Sequence, residues 1–276
     1  MPLSEVQGDA ALTADRAERK YLVEPGRVLG LARALERELQ RHRYTGDGAN
    51  VLPRAQHFTT TIYFDTADGA ILRDAERGVP HTKLRAREYY DLHPDLTELA
   101  QSSSELVRYS PLLWLELKAR EGDQSRKQRV GIPKPEVPRF FASGEASAEM
   151  RAIAHGGAAE EALGELQRFR AGFASPLEAC VLVNYRRNAW QDPEGTVRVT
   201  LDRDLSVFAP LPDMWTAERA LSREALGTVR YEEPCCILEL KHRGPAPGWI
   251  DRTLADAGAE QCNYSKFVQA CRRLRA

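Results

Sequence analysis

The chain has 276 residues, of which 42% are hydrophobic and 29% charged, and its 39 Lys and Arg nearly balance its 40 Asp and Glu. This length allows one large domain or two small ones, and no linker rich in Pro, Gly or Ser divides it. No apolar run reaches the roughly 18 residues that span a bilayer, and no signal-peptide pattern opens the sequence.

The N-terminal segment, residues 1–13, shows no hydrophobic periodicity. We therefore expect a flexible N-terminus followed by a single domain over residues 14–276. The first patterned segment, residues 18–22, alternates in a way that puts Glu18 and Lys20 on the same face of a strand.

Six further segments alternate in the same way, and each puts Lys or Arg on one face. They are Lys83–Arg87, Trp114–Arg120, Lys127–Val130, Val181–Arg187, Val197–Asp202 and Ile237–Lys241. Because the whole chain is nearly neutral, the cations are sorted onto strands while the acids lie mainly elsewhere. Seven ordinary solvated strand faces would also give this pattern, since most charged residues are exposed.

The sorting favours an α+β fold with a closed antiparallel β-barrel, a basic interior and helices covering the outside. Walls of low dielectric constant would focus the positive potential inside such a barrel. A polyanion would stabilise the cavity, and inorganic polyphosphate or a nucleoside triphosphate tail fits its charge. A nucleic-acid ligand is not expected, because no aromatic stacking platform interleaves with the cations.

Helices are predicted where apolar residues recur at a spacing of three to four. The predicted helices cover residues 27–43, 160–170, 216–226, 247–257 and 265–274. Residues 92–110 and 133–147 are predicted to be long loops. The five cysteines lack zinc-site spacing, so we expect free thiols in a reducing cytoplasm, and no histidine is predicted to be catalytic.

Eight short motifs together resemble the polyphosphate polymerase domain of the vacuolar transporter chaperone (VTC) family. That family belongs to the triphosphate tunnel metalloenzymes, which also include the CYTH enzymes (adenylate cyclase and thiamine triphosphatase). The motifs are Glu18-Arg19-Lys20-Tyr21, Tyr63-Phe64-Asp65-Thr66, Lys83-Leu84-Arg85-Ala86-Arg87, Leu115-Glu116-Leu117-Lys118, Tyr185-Arg186-Arg187-Asn188-Ala189-Trp190, Arg198-Val199-Thr200-Leu201-Asp202, Leu238-Glu239-Leu240-Lys241 and Tyr264-Ser265-Lys266-Phe267. The final Ser-Lys-Phe favours the VTC branch.

The resemblance implies a role for each matching residue. Seven cations resemble the catalytic, phosphate-binding side chains, namely Lys20, Arg85, Arg87, Lys118, Arg187, Arg198 and Lys266. Further substrate-binding residues would be Lys83, Lys127, Arg129, Lys241 and Ser265. Glu239 resembles the carboxylate that holds a divalent metal, Mn²⁺ or Mg²⁺.

Two of these positions leave alternatives open, and a third residue, Arg16, departs from the family pattern. Ser265 fits a plain helix N-cap as well as an anion site. Glu239 fits a salt bridge as well as a metal site. Arg16 stands where CYTH triphosphatases have the first glutamate of Glu-x-Glu-x-Lys, which favours the VTC interpretation and leaves more of the metal binding to Glu239.

The expected activity is a metal-dependent phosphotransferase, a polyphosphate polymerase that transfers the γ-phosphate of ATP to a growing chain. Hydrolysis of triphosphate or polyphosphate, and binding of polyphosphate without turnover, are the alternatives. The expected partners are ATP, polyphosphate, and pyrophosphate or triphosphate. We expect a cytoplasmic protein without the sensor domain and membrane helices of eukaryotic VTC subunits, and the sequence does not predict its oligomeric state.

Overall fold

The structure is a computed structural model that describes residues 16–42, 56–90, 112–121, 124–216 and 219–275. The predicted flexible segment 1–13 and the predicted loop 92–110 lie outside these ranges. That residues 14–276 form one domain stays a prediction.

The described residues form an α+β fold around one antiparallel sheet. Its strands are β1 (Arg16–Val23), β2 (Gln40–Arg41), β3 (Gln56–Asp65), β4 (His81–Tyr90), β5 (Leu112–Glu121), β6 (Gln124–Pro133), β7 (Glu178–Gln191), β8 (Val197–Phe208), β9 (Tyr231–Glu232), β10 (Cys236–Arg243) and β11 (Glu260–Cys262). All seven segments predicted to carry a cationic face lie in these strands, so that prediction is confirmed.

The sheet is not closed into a barrel, and the predicted closed barrel is therefore wrong. The hydrogen-bonded order is β11-β1-β10-β8-β7-β3-β4-β5-β6, with β2 beside β7 and β9 beside β8. Among the described residues, β6 and β11 at the two ends do not pair with each other. The second edge of β1, which a closing strand would need, is partly occupied by β11, because Lys20, Tyr21 and Leu22 pair with residues 260–262.

The helices are α1 (Val28–Leu35), α2 (Ala70–Arg77), α3 (Glu136–Ser143), α4 (Ala148–Ile153), α5 (Gly157–Ala171), α6 (Gly248–Asp256) and α7 (Lys266–Arg275). The predicted helices over residues 160–170, 247–257 and 265–274 are confirmed by α5, α6 and α7. The first predicted helix ends earlier than expected, at Leu35, and the chain then enters the short strand β2.

Two predictions between strands are wrong. Residues 133–147 contain α3, because Val137, Phe140 and Phe141 lie at helical spacing and are buried against the sheet. In the predicted helix 216–226, the described residues form only a 3₁₀ turn at Arg223–Leu226.

Helix α2 was not predicted, although its start signal precedes it in the sequence. The Asp65 carboxylate accepts hydrogen bonds from the backbone N–H groups of Ile71, at 2.8 Å, and Leu72, at 2.9 Å. The Thr66 hydroxyl accepts another from Ala70 at 2.9 Å. These bonds satisfy first-turn donors that would otherwise be unpaired. The helix is thus fixed to the end of β3.

The two faces of the sheet differ sharply. We call the face that carries Lys20, Arg85 and Arg187 the charged face, and the opposite one the outer face. The outer face is apolar over most of its area and is covered by helices in two buried clusters. One cluster packs α3, α4 and α5 against β4, β5 and β6, and the other packs α1 and α6 against β1, β8 and β10.

Helix α7 differs from the other helices, because it packs on the charged face. The Phe267 ring lies 5.2 Å from the Tyr63 ring, and Lys266 Nζ lies 5.1 Å from the Tyr185 ring centroid. Both tyrosines belong to the charged face, since Tyr63 pairs with Arg85 across β3 and β4 and Tyr185 lies two residues from Arg187. The start of α7 therefore contributes to this face.

Candidate functional site

Strand pairing gathers the predicted site residues on the charged face. Directly paired residues on neighbouring strands project to the same side. Lys83, Lys118 and Lys127 form one such row across β4, β5 and β6. Ten of the eleven predicted cations lie on this face, namely Lys20, Lys83, Arg85, Arg87, Lys118, Lys127, Arg129, Arg187, Arg198 and Lys241. Lys266, the eleventh, reaches it from α7.

The charged face is strongly curled. Strands β1 and β5 are separated in the sheet by five other strands. In a flat sheet, with neighbours ~4.8 Å apart, they would lie roughly 29 Å from each other. Lys118 Nζ of β5 nevertheless lies 3.8 Å from Glu18 Oε2 of β1. The two halves of the charged face therefore surround a common cavity, although the sheet remains open.

A buried carboxylate organises the cations of β4 and β6. The Glu116 side chain of β5 is fully buried, and Arg85 donates to Glu116 Oε2 through Nε at 2.8 Å and Nη2 at 2.7 Å. Arg87 and Lys127 lie 3.6 Å from the same carboxylate. Burial opposes ionisation of Glu116, but Arg87, Arg85 and Lys127 outweigh it and hold its pKa far below the usual range. Glu116 is therefore a fixed anion beneath three cations.

A second buried carboxylate organises the cations of β7 and α7. Arg187 binds Asp202 through two parallel hydrogen bonds of 2.6 and 2.7 Å, and Lys266 Nζ lies 2.6 Å from Asp202 Oδ2. Burial opposes ionisation of Asp202, but Arg187 and Lys266 outweigh it and lower its pKa to about 2. This paired geometry fixes the plane of the Arg187 guanidinium and leaves its other edge for a ligand.

A third group lies where β1, β5 and β10 meet. Glu239 pairs with Lys241 at 2.9 Å, and Glu18 contacts Lys20 at 3.1 Å and Lys241 at 3.8 Å. The alternative prediction that Glu239 forms a salt bridge is thus confirmed, and its metal role stays a prediction. Burial lowers the pKa of Lys118 to about 7, although Glu18 and Glu239 oppose this shift. Two carboxylates and three amines meet at this end of the cavity.

The start of α7 ties the charged face together. Ser265 is the N-cap, because its hydroxyl accepts a hydrogen bond from the backbone N–H of Val268 at 3.4 Å. The same hydroxyl accepts a bond from Lys83 Nζ at 3.0 Å, and Lys20 Nζ donates to the Tyr264 carbonyl at 3.0 Å. The capping role of Ser265 is confirmed, and a role in binding anions stays a prediction.

Sequence reasoning did not assign four residues of this site. Glu116, Asp202 and Glu18 belong to the quoted motifs, and the alternation that placed the cations inside also places these carboxylates there. His57, which like the other histidines was not predicted to be catalytic, lies in β3 and pairs with Arg187. Burial, followed by Arg187, lowers the His57 pKa to about 3, so the imidazole is neutral at pH 7.

Asp202 should make the protein sensitive to acid. Its folded-state pKa is about 2 against an ordinary 3.8, so it stabilises the fold above pH 4, and this stability is lost as the pH falls towards 2. The expected loss is on the order of 2 kcal/mol. Urea unfolding between pH 2 and 5 measures this loss. As the pH falls, the free energy of unfolding should decrease less steeply for D202N than for wild type, and the exposed control D256N should follow wild type. Identical slopes for D202N and wild type would contradict the assignment.

Two features are absent from the described residues, a metal-binding cluster of three or more side chains and a membrane-spanning helix. Among the described residues, no cluster of three or more His, Cys, Asp or Glu side chains could hold a metal ion. No helix in the described part of the chain is long and apolar enough to cross a membrane.

Solved structures of similar shape come from several organisms. A protein from Bacillus halodurans with a suspected adenylate cyclase activity is 14% identical, with a TM-score of 0.47 over 92% of this chain and 96% of its own. An adenylyl cyclase candidate from Hippeastrum, described as having a dominant triphosphatase activity, is 15% identical, with a TM-score of 0.45 over 92% of this chain and 94% of its own. Similarities this low do not establish function.

The family comparison is more decisive. No curated protein matches the chain significantly. The model of the VTC domain, however, matches residues 15–275, which include every strand of the sheet and every residue of the charged face. The match spans nearly the whole chain. The chain therefore belongs to the VTC domain family.

Proposed function

We propose that the chain is a metal-dependent phosphotransferase that extends polyphosphate with the γ-phosphate of ATP. The observation that carries this proposal is the curled charged face, where eleven Lys and Arg side chains surround one cavity that holds four carboxylates. Membership in the VTC domain family supports it. A cavity with so large an excess of cations suits a chain of phosphates, because every phosphate carries charge at neutral pH.

The arginines would grip the phosphate oxygens. Guanidinium groups bind phosphate in a bidentate fashion and remain charged at any physiological pH. Glu116 and Asp202 hold Arg85 and Arg187 in place before a ligand arrives, so less side-chain entropy is lost on binding. Lys118, with its lowered pKa, would take up a proton when phosphate binds, because the new negative charge favours the ammonium form.

The carboxylates at the β1–β10 end fit a divalent metal. Glu239 and Glu18 both contact Lys241, so their oxygens lie close together. Mg²⁺ and Mn²⁺ need only one or two carboxylates when phosphate oxygens and water complete the coordination. We propose Glu239 as the main ligand and Glu18 as the second. A bound metal would neutralise charge on the β- and γ-phosphates of ATP.

The transfer itself needs little from the protein besides position and charge. A terminal oxygen of the growing chain would attack the γ-phosphorus, the bond between the γ-phosphorus and the bridging oxygen would break, and ADP would leave. The attacking phosphate is already anionic at pH 7, so no strong general base is required. The Arg85 and Arg187 guanidiniums, on opposite sides of β3, would stabilise charge on the transferred group.

Hydrolysis of triphosphate or short polyphosphate is the second candidate. The observation that favours it is the open sheet, since β6 and β11 do not pair among the described residues and an open edge would let water approach the charged face. With water in place of the phosphate acceptor, the same residues would support a triphosphatase.

Incubation with ATP and Mn²⁺ separates these functions. We expect long polyphosphate on a gel, together with ADP in proportion to the phosphate incorporated. Free phosphate without polymer would support the hydrolase instead. If the protein binds polyphosphate but does not consume ATP, it is a binding module, and both enzymatic proposals are contradicted.

A further inference from the structure

A separate pocket of about 610 Å³ opens on the outer face of the sheet, where β3, β7 and β8 lie side by side. This volume lies within the range of small-molecule sites. Three arginines line it, Arg186, Arg203 and Arg223. Arg186 projects away from its neighbour Arg187 and pairs with Arg203, so neither Arg186 nor Arg203 belongs to the charged face. The pocket therefore has no part in the proposed phosphotransfer.

Two of these arginines face each other. Arg186 of β7 and Arg203 of β8 are direct cross-strand partners, and such a pairing of like charges is unfavourable. Burial lowers the pKa of Arg203 and the charge of Arg186 lowers it further, while Asp204 offsets only part of this shift. An anion bound between the two guanidiniums would relieve this repulsion.

Three carboxylates, Asp204, Glu232 and Glu233, also line the pocket, and Glu233 accepts a hydrogen bond from the Tyr264 hydroxyl at 2.7 Å. Asp204 pairs with Arg186, and Glu232 pairs with Arg223, but all four side chains are substantially exposed. Exposed ion pairs contribute little to stability, so a phosphate can replace them at low cost. Asp204 is also the only non-glycine residue with positive φ among the described residues, at 53°. Strain of this kind concentrates at ligand sites.

Beside these charged groups, part of the pocket lining is apolar. Phe58, Leu205, Val28 and two prolines form part of its lining, beside the three arginines. An aromatic side chain next to guanidinium groups suits a ligand with a flat ring and an anionic group, since the ring can stack while the anion binds the arginines.

We propose that this outer pocket binds a small organic phosphate that carries a flat ring, of the size of a nucleoside monophosphate. The phosphate would lie between Arg186, Arg203 and Arg223, and the ring would pack on Phe58. This site is independent of the charged face and of the reaction proposed for it.

The test is calorimetric titration of the full chain with AMP as probe. We expect R203Q and R223Q each to weaken AMP binding at least about 10-fold, because each loses a charged hydrogen bond to phosphate. The matched control is R230Q, since Arg230 is exposed and does not line the pocket. R85Q, which alters the charged face, should leave the AMP affinity of the outer pocket unchanged. Melting temperatures confirm that each variant is folded.

Several results would overturn the proposal. One is that wild type does not bind AMP at millimolar concentration. Another is that R203Q, R223Q and R230Q bind AMP with equal affinity. A third is that only R85Q loses affinity for AMP, which would place AMP on the charged face. Inorganic phosphate and adenosine are titrated separately, and each should bind more weakly than AMP. If inorganic phosphate binds as tightly as AMP, the ring does not contribute to binding, and the proposed packing of the ring on Phe58 is wrong.

Discussion

E239Q is expected to lower ATP-dependent turnover by about 100-fold or more while polyphosphate still binds. The substitution keeps the shape of the side chain but removes the charge that would hold the metal. The metal would neutralise charge on the transferred phosphoryl group, and removing one such electrostatic interaction typically costs two or more factors of ten in rate. The measurement is ATP consumption with Mn²⁺ on the same preparation used for polyphosphate binding.

The surroundings of Glu239 explain why binding should survive. Burial opposes its ionisation, but Lys241, Lys20 and Lys118 hold its pKa well below the usual range, so the carboxylate is charged at neutral pH. Removing that charge leaves the neighbouring cations less neutralised. Polyphosphate affinity should therefore stay constant or rise.

The control for this experiment is E145Q, an exposed carboxylate outside the charged face. If Glu239 serves only as the partner of Lys241, E239Q should have a lower melting temperature than wild type and keep its metal-dependent activity. Near-normal ATP consumption by folded E239Q would therefore rule out Glu239 as the metal ligand.

E116Q is expected to destabilise the fold by about 3 kcal/mol, the largest stability effect at this site. The Glu116 carboxylate is fully buried and contacts Arg85, Arg87 and Lys127. With Gln in its place, three cations would remain close together without a compensating charge. Urea unfolding at neutral pH, with E145Q as the control, measures the difference.

Added tripolyphosphate should restore much of the stability lost in E116Q, because a ligand that binds only the folded state stabilises it by mass action. It should stabilise the variant more than wild type, since the bound anion supplies the missing negative charge. Equal unfolding free energies for E116Q and wild type would show that Glu116 does not hold these cations together.

The sequence correctly predicted which cationic side chains of the strands share the charged face. Alternation alone put Arg85 and Arg87 on one side of a strand and Leu84 on the other, because side-chain direction in a strand is a local property. The same rule places Glu116 and Asp202 among the cations, although they were not singled out as site residues. Local periodicity likewise predicted α5, α6 and α7.

Long-range geometry could not be predicted in the same way. Whether the sheet closes depends on which strands occupy the edge of β1, and β11 comes from residues 260–262, far along the chain from β1. Closure is decided by hydrogen bonds between distant segments, which leave no periodic signal in either segment. The sorting of cations onto strands suggested a closed barrel, and the pairing of these strands contradicts it.

The sequence by itself thus determined which side chains share a face, since that follows from the backbone of each strand. Only the tertiary structure decided which of them meet. The curl of the sheet brings Glu18 to Lys118, the docking of α7 brings Lys266 to Asp202, and the pairing of β7 with β8 opposes Arg186 to Arg203. The first two contacts join residues far apart in the chain and the third depends on the register of two consecutive strands, so only the packing of whole strands and helices sets them.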